Sequence, residues 1–433
     1  MNPKQSDQTT TVETRRETGG RDPSANLCRF CATPLKHTFV DLGMSPLCES
    51  YVSAAQLNQV EAFYPLHVRV CEQCFLVQLP QYVSPEEIFG EYAYFSSYSD
   101  SWLQHAAEYV EMIVQRLGLG QESLAVELAS NDGYLLRNFV KQGIPVLGVE
   151  PAANVAKAAI EKGVPTLVKF FGRHLAREMA REGKRADLVI GNNVLAQVPD
   201  LNDFVGGIRL LLKPEGVATL EFPHLIRLMA ANQYDTIYHE HFSYFSFLTA
   251  EKIFSAHGMT LFDVEELPTH GGSIRIYACE EACRSRPVTA RVVELRQREL
   301  AAGLDRLDTY STFGEKVNES KRALLEFLIA AKRAGKRVAG YGAPGKGNTL
   351  LNYCGIRTDF LDYTVDRNPY KQGKFLPGTH VPICPVDKLF ETKPDYVLIL
   401  PWNFKEEIVK QMARIRDWGG KFVVPIPTVE VIS

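Results

Sequence analysis

From residue 101 to about residue 280, short apolar segments alternate with amphipathic ones. Five of the apolar segments have the length of buried strands: SLAVELA, PVLGVEP, TLVKF, ADLVIGNN and VATLEFP. The segments between them, such as AANVAKAAIEKG, have helical apolar spacing. Strands that alternate with helices at this spacing form a parallel sheet with helices on both faces. The sequence therefore predicts an α/β fold.

Two further patterns extend this prediction. MTLFDVEEL and GGSIRIYA follow each other without a helix between them, which predicts an antiparallel hairpin at one edge of the sheet. Beyond residue 334 a second, smaller alternation runs from KRVAGYGA to KFVVPI. It predicts a second α/β domain.

Four of the nine cysteines form two C-x-x-C pairs, Cys28 with Cys31 and Cys71 with Cys74. Each pair can close a tight chelate around one metal ion, and two pairs complete a tetrahedral thiolate site. Because the protein supplies all four ligands, we expect a structural zinc ion. The alternative interpretation is two unrelated C-x-x-C turns. The other five cysteines show no comparable pattern.

Polar and acidic residues follow the predicted strands of the first alternation, where open α/β sheets bind ligands. Glu127 and the Ser130–Gly133 turn follow the first strand, Glu150 ends the second, and Gly191–Asn193 ends the fourth. A carboxylate at the end of the second strand can accept hydrogen bonds from both ribose hydroxyls. Glu150 therefore indicates an adenosine-type cofactor.

The first turn, ELASNDG, lacks the G-x-G-x-x-G pattern that holds a pyrophosphate. It instead brings Glu127 and Asp132 close together, and their negative charge would repel phosphates. Such a turn favours a cofactor without phosphate and with positive charge, a description that fits S-adenosylmethionine. An ordinary strand–turn–helix is the alternative.

The C-terminal domain has the opposite kind of turn. GYGAPGKG places Gly340, Gly342 and Gly345 in G-x-G-x-x-G spacing after a strand, with Lys346 and Gly347 behind them. This turn predicts a phosphate site and hence a phosphorylated substrate, for example a nucleotide-linked one. The alternative is a glycine-rich turn that serves packing alone.

These patterns divide the chain into a disordered tail (1–26), a zinc-binding domain (27–85), a central α/β domain with the turn that favours S-adenosylmethionine (86–286), a helical linker (287–334) and a C-terminal α/β domain with the predicted substrate phosphate site (335–433). We expect the linker to be a pair of helices, with Gly303 and Gly314 as its turn signals. The net charge of −3 argues against a nucleic-acid partner. No apolar run approaches the roughly 20 residues of a membrane span, and no signal peptide is evident. We therefore expect a cytoplasmic protein without a membrane partner.

Seven motifs follow one another along the chain: CxxC…CxxC, YAYFSSYSDSW, VELASNDG, IGNNVLAQVPD, YHEHFSYFS, THGGSIR and GYGAPGKGNTLLNYCGI. In this series the chain resembles the sugar C-methyltransferases that act on nucleotide-linked 4-keto-deoxysugars. The resemblance covers nearly everything after residue 27. It implies an N-terminal zinc-binding domain, a central Rossmann-like domain of class I methyltransferases and a C-terminal Rossmann-like domain that helps hold the substrate. It also implies transfer of a methyl group from S-adenosylmethionine to C3 of the sugar.

The resemblance further implies roles for individual residues. The zinc ligands would be Cys28, Cys31, Cys71 and Cys74. The residues that bind S-adenosylmethionine would be Glu127, Ser130, Asn131, Asp132, Gly133, Glu150, Asn192 and Asn193. The residues at the reacting sugar would be Tyr92, Tyr238, Glu240 and His241, with His241 as the base. We expect additional substrate contacts from Gln197, His239, His270, Lys346 and Asn348.

The chain departs from the family pattern at two places. Relatives often have histidine where IGNNVLAQVPD has Gln197, and glutamine can hydrogen-bond a sugar but cannot exchange a proton near neutral pH. The glycine turn of methyltransferases is reduced here to Ala129 and Gly133.

The segment YHEHFSYFS, residues 238–246, carries the titratable groups that C-methylation requires. A base must remove the C3 proton of a 4-keto sugar, and the resulting enolate oxygen must be stabilised. Histidine suits the base because its pKa lies near neutral pH, while Glu240 and Tyr238 can orient the site. In an extended segment His239 and His241 face the same way, so spacing leaves both open as the base. The resemblance favours His241.

Other interpretations stay open. The two histidines can be ordinary hydrogen-bonded loop residues. The chain can be an O- or N-methyltransferase of a phosphorylated metabolite, which needs no carbon acid. It can also be a non-catalytic protein that binds zinc and a nucleotide.

Overall fold

The computed structural model describes residues 26–90 and 96–433. Strands of the described residues form three sheets and are β1 (His37–Ser45), β2 (Tyr64–Val70), β3 (Val77–Gln78), β4 (Ala125–Leu128), β5 (Val146–Val149), β6 (Thr166–Leu167), β7 (Ala186–Asn192), β8 (Leu212–Pro223), β9 (Ser243–Tyr244), β10 (Met259–Leu267), β11 (Ser273–Glu280), β12 (Val338–Tyr341), β13 (Thr364–Val365), β14 (Ile383–Cys384), β15 (Tyr396–Ile399), β16 (Lys421–Val424) and β17 (Glu430–Ile432). Their α-helices are α1 (Pro85–Phe89), α2 (Asp100–Leu117), α3 (Leu136–Lys141), α4 (Ala153–Glu161), α5 (Arg173–Arg181), α6 (Leu201–Leu211), α7 (Leu225–Ala230), α8 (Phe247–Ala256), α9 (Ala290–Ala301), α10 (Leu307–Ser311), α11 (Phe313–Arg333), α12 (Gly345–Cys354), α13 (Lys388–Thr392) and α14 (Lys405–Gln411). None of the helices in these ranges is long and apolar enough to cross a membrane.

The central sheet has the strand order β10-β11-β8-β7-β4-β5-β6. The five strands from β8 to β6 are parallel, and β10 and β11 form an antiparallel hairpin at one edge, as predicted. Alternate residues of β7 enter separate cores: Leu188 and Ile190 join Phe139 of α3 on one face, and Val189 joins Phe204 of α6 on the other. Helices therefore cover both faces, which is why these strands are continuous apolar runs in the sequence.

The chain reverses direction across the central sheet at β4. β5 and β6 lie on one side of β4, and β7 and β8 lie on the other. Because the chain leaves β4 and β7 toward opposite faces of the sheet, a crevice opens between these two connections at the carboxyl ends of the strands. The predicted cofactor residues lie at this crevice.

The C-terminal sheet repeats this arrangement on a smaller scale. Its order is β14-β13-β12-β15-β16-β17, and its strands are parallel except for β17, which pairs antiparallel with β16. The reversal occurs at β12, and α12 follows β12. The predicted glycine-rich turn therefore holds the same topological position as the turn after β4. The α/β prediction is confirmed for both domains.

The N-terminal sheet has a strand that the sequence did not predict. Its order is β1-β2-β3-β9, all antiparallel, and β9 lies inside YHEHFSYFS. Val77 pairs with Tyr244, and the Leu79 N–H donates a hydrogen bond to the Phe242 carbonyl (3.0 Å). The candidate catalytic segment is thus an edge of the sheet that carries the cysteine pairs.

The predicted linker is three helices, α9, α10 and α11, so the expected pair is wrong. Gly303 (φ 78°) lies between α9 and α10, but Gly314 lies inside α11 and marks no turn. α9 packs against the central domain through Val292. α11 buries an apolar stripe in the core shared by the N- and C-terminal domains, where Phe313 stacks on Phe39 with ring centroids 4.6 Å apart. These helices therefore join the domains by packing.

Candidate active site

The turn after β4 holds three residues in the left-handed backbone region: Ala129 (φ 54°), Asn131 (φ 49°) and Gly133 (φ 75°). A side chain in this region costs about 1–3 kcal/mol, and asparagine tolerates it better than alanine. Gly133 has a second constraint, since a Cβ atom there would lie 3.0 Å from Val164 and 3.2 Å from Ala159. Strain of this kind concentrates at ligand sites. Ala129 and Asn131 thus replace the glycines of a typical nucleotide-binding turn.

Glu150, at the end of β5, holds this turn in place. Its Oε2 accepts a hydrogen bond from the Asn131 N–H and its Oε1 accepts one from the Ala152 N–H, both at 2.9 Å. Burial raises the pKa of Glu150, and the two backbone hydrogen bonds oppose that shift. Each carboxylate oxygen keeps a second lone pair, so Glu150 can still accept the hydroxyl of a ligand.

Glu127 is a buried carboxylate with one oxygen free. It is 1% exposed, and its Oε2 has no hydrogen-bond partner among the described residues. Burial raises the pKa of Glu127 well above its usual range, and the negative charges of Glu150 and Asp132 raise it further. A hydrogen bond with the side chain of Tyr134 opposes these effects. A positively charged ligand group beside Oε2 would stabilise the ionised form of the Glu127 carboxylate.

Asp132 differs from the expectation of a free negative charge. Its Oδ2 accepts a hydrogen bond from Lys162 Nζ at 2.8 Å and another from the Ser97 hydroxyl. Lys162 therefore neutralises Asp132, and the acidic character of the turn comes from Glu127 and Glu150. The second oxygen of Asp132, Oδ1, is buried without a partner in the described part of the chain.

A cavity of about 340 Å³ opens at the carboxyl ends of β4, β5 and β7. Polar residues line it together with a group of aromatic ones: Asn131, Glu150, Asn192, Asn193, Gln197, Trp102, Tyr134, Phe170, Phe171 and Phe204. Several buried polar atoms at these strand ends lack a hydrogen-bond partner within the described ranges: Glu127 Oε2, Ser130 Oγ, Asn193 Oδ1 and both side-chain polar atoms of Asn192. Native proteins seldom leave such atoms unpaired. The cavity therefore offers hydrogen-bonding groups to a ligand that is both polar and aromatic.

The two histidines of YHEHFSYFS face different neighbours, which corrects the expectation that they face the same way. The segment is not extended here: a turn forms in which the His241 N–H donates to the Tyr238 carbonyl (2.9 Å). His239 is 3% exposed and packs edge-on against Tyr64 of β2, with ring centroids 5.7 Å apart. It is near the backbone of Tyr64 and Pro65 but makes no hydrogen bond to a described residue. Burial lowers the pKa of His239 to about 4.

His241 lies on the other side of the turn. Its Nδ1 is 2.9 Å from the Thr236 carbonyl, and since a carbonyl only accepts, Nδ1 carries the hydrogen and Nε2 carries a lone pair. The ring lies against Tyr238, with centroids 4.1 Å apart. Burial lowers the pKa of His241 to about 4, the Thr236 carbonyl opposes this, and the Lys346 charge lowers it further. His241 is therefore neutral near pH 7.

His270 belongs to the THGG turn between β10 and β11. Its Nε2 accepts a hydrogen bond from the Asn193 amide (3.0 Å), and its ring centroid is 5.1 Å from that of Trp102. The Thr269 hydroxyl donates to the buried Glu221 carboxylate (2.8 Å), which fixes the turn at the end of β8. Burial lowers the pKa of His270 to about 4, and the Lys346 charge adds to the shift. His270 thus connects the cofactor crevice with the third domain.

Lys346 lies in the first turn of α12 and points toward the central domain. Its Nζ donates to Asn403 Oδ1 at 2.8 Å and lies 4.8 Å from the centroid of a Trp402 ring. The Trp402 indole N–H in turn donates to Asp235 Oδ2 at 2.7 Å. Burial lowers the pKa of Lys346, and the Asp235 charge opposes that effect. The Lys346 charge lowers the pKa of both His241 and His270.

Glu240 and Tyr238 are placed toward the N-terminal domain. Glu240 is 8% exposed, and its Oε1 accepts a hydrogen bond from the Cys48 thiol at 3.5 Å. Burial and the Glu240 charge raise the pKa of Tyr238 well above its usual range, so its phenol stays protonated. Tyr238 is therefore a hydrogen-bond donor beside His241.

The glycine-rich turn after β12 is packed by protein. Added Cβ atoms would lie 2.7 Å from Thr364 at Gly340, 2.5 Å from Pro401 at Gly342, 2.9 Å from Cys48 at Gly345 and 2.9 Å from Leu400 at Gly347. The Ala343 carbonyl accepts hydrogen bonds from Tyr51 (2.7 Å) and Lys371 (2.9 Å). The glycines thus allow close packing, and the phosphate site predicted at this turn stays a prediction.

Asn348 is fully buried inside α12, where its Oδ1 accepts a hydrogen bond from Asn352 at 3.2 Å. Its Nδ2 has no hydrogen-bond partner among the described residues, and the substrate contact predicted for Asn348 stays a prediction. Tyr92, predicted at the reacting sugar, lies outside the described residues.

The four cysteine sulfurs lie within 4.8 Å of one another. Cys28 and Cys74, and likewise Cys31 and Cys71, have sulfurs 3.5 Å apart. This is longer than a disulfide of about 2.05 Å and close to the ~3.8 Å between ligands around a tetrahedral zinc with bonds of about 2.3 Å. The cluster therefore fits a zinc ion with no coordination position left for a substrate.

Comparison with known proteins identifies the family. Family models match along the chain in order: a zinc binding domain at residues 28–89, a methyltransferase domain at 102–264 and a C-methyltransferase C-terminal domain at 268–427. The C-methyltransferase NovU of Streptomyces niveus is 36% identical over 406 residues, which are 94% of this chain and 96% of that protein. The chain belongs to the C-methyltransferase family.

Other similarities of this C-methyltransferase are partial. The ubiquinone biosynthesis O-methyltransferase of Bartonella tribocorum is 29% identical over 99 residues, 22% of this chain and 40% of that one. Among solved structures, the PH0226 protein of Pyrococcus horikoshii covers 45% of this chain and 97% of its own, at 16% identity and a TM-score of 0.36. Because that score is below 0.5, the assignment rests on NovU and the family models.

The family assignment settles the class of function. The protein is an enzyme that transfers a methyl group from S-adenosylmethionine to carbon, and its N-terminal domain is zinc-binding. The O- or N-methyltransferase and the non-catalytic binding protein are thereby excluded as its class. The site fits the cofactor: the cavity has aromatic walls and is lined by Glu150, a hydroxyl acceptor, and the buried Glu127 carboxylate with its unpartnered oxygen lies at the adjacent end of β4.

The fold of this methyltransferase places most of the predicted site residues in one region. Four of the predicted cofactor residues line the cavity, Asn131, Glu150, Asn192 and Asn193, and the other four belong to the end of β4 and the turn after it. The charges of Lys346 and His241 both act on His270, where the central and C-terminal domains join. No sequence pattern indicated the roles of Asp235, Trp402 and Asn403, which contact one another or Lys346 at that junction. They belong to no motif of the series, and Asp235 and Trp402 are 167 positions apart.

Proposed function

We propose that this methyltransferase methylates C3 of a nucleotide-linked 4-keto-deoxysugar and that His241 is the base. The hydrogen bond between His241 Nδ1 and the Thr236 carbonyl carries this proposal. It fixes the tautomer that has a lone pair on Nε2, and Nε2 has no hydrogen-bond partner among the described residues. A general base needs such a lone pair within reach of the substrate proton.

The step follows from the groups at the junction. His241 Nε2 takes the C3 proton, the C–H electron pair forms the C3–C4 double bond, and the carbonyl pair moves to the C4 oxygen. S-adenosylmethionine supplies the electrophilic methyl group that C3 attacks. The aromatic residues around His241, Tyr238 and Tyr244 among them, exclude water that would reprotonate the enolate. The protonated Tyr238 phenol is available to hydrogen-bond the sugar.

The cofactor residues follow from the unpaired atoms of the crevice. Glu150 would accept the ribose hydroxyls, because both of its oxygens keep a free lone pair beside the cavity. Glu127 Oε2 would accept from the ammonium group, whose charge compensates a carboxylate that burial disfavours. Asn192 and Asn193 would supply the remaining polar contacts.

Replacing the base tests the proposal. We expect His241→Asn to keep the fold and cofactor binding but to lower turnover by about 10²–10⁴-fold. His239→Asn is the matched control and should lose much less, since His239 faces Tyr64. Turnover is measured by mass spectrometry with S-adenosylmethionine and a panel of nucleotide-linked 4-keto-6-deoxyhexoses. Near-normal methylation by His241→Asn would contradict the assignment, and no product from the unmodified enzyme on any member would contradict the substrate class.

The pH dependence gives a second test. The pKa of His241 is lowered to about 4, below its ordinary value near 6.5, so the base is unprotonated throughout the neutral range. We expect kcat/KM to stay level from pH 8 to about 5.5 and to fall as the pH drops through about 4. Circular dichroism at each pH separates loss of the base from loss of the fold. A loss of activity centred near pH 6.5 in folded enzyme would show that the base is an unshifted histidine.

A further inference from the structure

The indole of Trp402 connects the two histidines of the junction. At one edge its N–H donates to Asp235 (2.7 Å), and Asp235 precedes Thr236, whose carbonyl holds His241. At the opposite edge Trp402 lies against Gly271, where an added Cβ would be 2.8 Å from the indole Cη2. Gly271 follows His270. A group above this indole therefore lies between the segments that carry His241 and His270.

The ammonium group of Lys346 occupies that place. It lies over Trp402, and one of its hydrogens goes to the neutral Asn403 amide oxygen. Within the described residues Lys346 makes no salt bridge, although the charge of Asp235, which accepts the Trp402 hydrogen bond, acts on it. An ammonium has three hydrogens, so donors remain for a ligand. A cation held by an aromatic face and an amide is positioned without being neutralised.

The surroundings of Lys346 do not suit a phosphate. The glycine turn that precedes it is filled by Thr364, Pro401 and Cys48. The nearby Asp366 carboxylate accepts the Ala343 N–H (2.7 Å) that a phosphate would use. The Glu49 carboxylate is also near the turn, 3.7 Å from Lys371. The two carboxylates would repel a phosphate at the turn, whereas Lys346 is directed away from it toward Trp402.

We propose, on the basis of the proposed function, that Lys346 is the catalytic residue that stabilises the C4 oxygen of the substrate enolate. As His241 Nε2 takes the C3 proton, the carbonyl pair becomes an oxygen anion, and a Lys346 N–H donates a hydrogen bond to it. When C3 bonds to the methyl carbon, that pair returns to the C4 carbonyl and the methyl–sulfur pair goes to sulfur. Lys346 keeps its proton throughout. Asp235 and Trp402 are positioning residues in this scheme.

The experiment separates a role at the ketone from a role at the phosphate. The variants are Lys346→Met, Lys346→Arg and the exposed surface control Lys410→Met. For each we measure kcat and KM on the productive 4-keto sugar nucleotide, the Kd of the corresponding nucleoside diphosphate without sugar, and deuterium exchange at C3 in D₂O. Loss of an oxyanion donor lowers kcat by about 10²–10³-fold. We expect that fall in Lys346→Met with an unchanged nucleoside diphosphate Kd and slower C3 exchange, partial rescue in Lys346→Arg, and no change in Lys410→Met.

The contrary outcomes are distinct. A raised Kd for the nucleoside diphosphate with an unchanged kcat would assign Lys346 to the phosphate and overturn the inference, while leaving His241 as base. Unchanged kcat and Kd together would overturn it as well. If the unmodified enzyme methylates no member of the panel, the proposed function fails first. Thermal unfolding and S-adenosylmethionine binding of each variant identify misfolding. If the Lys346 variants misfold, Asn403→Ala replaces them, because it keeps the Lys346 ammonium but removes the amide oxygen that positions it. If the inference holds, Asn403→Ala must lower kcat.

Discussion

The turns after β4 and after β12 hold the same place in two similar sheets, yet their sequences and surroundings are opposite. The β4 turn has a single glycine, carries Ala129 and Asn131 in left-handed conformations, and borders a cavity with unpaired polar atoms. The β12 turn has its glycines filled from outside by Pro401 and other side chains. In this enzyme the glycine-rich turn after β12 is a place of close packing, and the strained, glycine-poor turn after β4 borders the candidate ligand site.

The two domains also share an acidic residue at the end of the neighbouring strand. Glu150 accepts the Asn131 and Ala152 N–H groups at the first turn. Asp366 accepts the Ala343 and Asn368 N–H groups at the second. Both acids fix their turn, but only Glu150 lines a cavity among those described. The same backbone device thus serves an open site in one domain and a closed turn in the other.

The largest effect we expect comes from Gly342→Ala. Gly342 has a φ of 89°, and a Cβ there would lie 2.5 Å from Pro401. Strain and overpacking together should lower the free energy of unfolding by about 2–4 kcal/mol, measured by urea denaturation. Gly355→Ala is the control, because it has a φ of 70° with nothing near the added Cβ, and should cost only about 1 kcal/mol. Equal costs would mean that the β12 turn is not tightly packed.

A smaller effect separates the two acids. We expect Glu150→Ala to weaken S-adenosylmethionine binding by about 1–3 kcal/mol, since it removes the acceptor that we propose for the ribose hydroxyls. Asp366→Ala should leave that binding unchanged while lowering stability, because its contacts are with its own turn. Isothermal titration calorimetry measures the first quantity and urea denaturation the second. Weakened cofactor binding in Asp366→Ala alone would reverse the roles of the two turns.

The smallest effect that we expect is a gain in stability. Ala129→Gly relieves the left-handed strain at φ 54°, and we expect it to raise the free energy of unfolding by up to about 1 kcal/mol. Ala152→Gly, close by but with a φ of −77°, relieves no strain and removes a fully buried methyl group, so it should lower stability by up to about 0.8 kcal/mol. Destabilisation by both changes to the same extent would show that Ala129 is not strained.

Local patterns in the sequence predicted the two α/β domains, but not strand β9 or the three helices of the linker. Apolar strand segments with helices between them predict both parallel sheets and the edge hairpin, because each depends on residues close in the chain. The cysteine cluster was predicted equally well, since the two C-x-x-C turns supply all four metal ligands. The crevice residues at the ends of β4, β5 and β7 follow from the rule that such sheets bind ligands there.

The junction was beyond such reasoning because contacts between distant segments determine it. His239 and His241 are two positions apart, and only a turn at Tyr238 directs one toward Tyr64 and the other toward Thr236. Lys346 was predicted to hold a phosphate from its glycine neighbours, but Trp402 and Asn403 determine where its ammonium lies. Periodicity carries no information about such pairings.

The pairing of β3 with β9 has a consequence for how the chain folds during synthesis. β3 ends at Gln78, but its partner strand is complete only when Tyr244 has left the ribosome. Until then the cysteine-bearing sheet has an unpaired apolar edge, which is a template for intermolecular strand addition. The late arrival of Ser243 and Tyr244 closes that edge and, in the same event, anchors the turn that carries His241. Nascent chains that stop before residue 243 should therefore be aggregation-prone even when their cysteines hold metal.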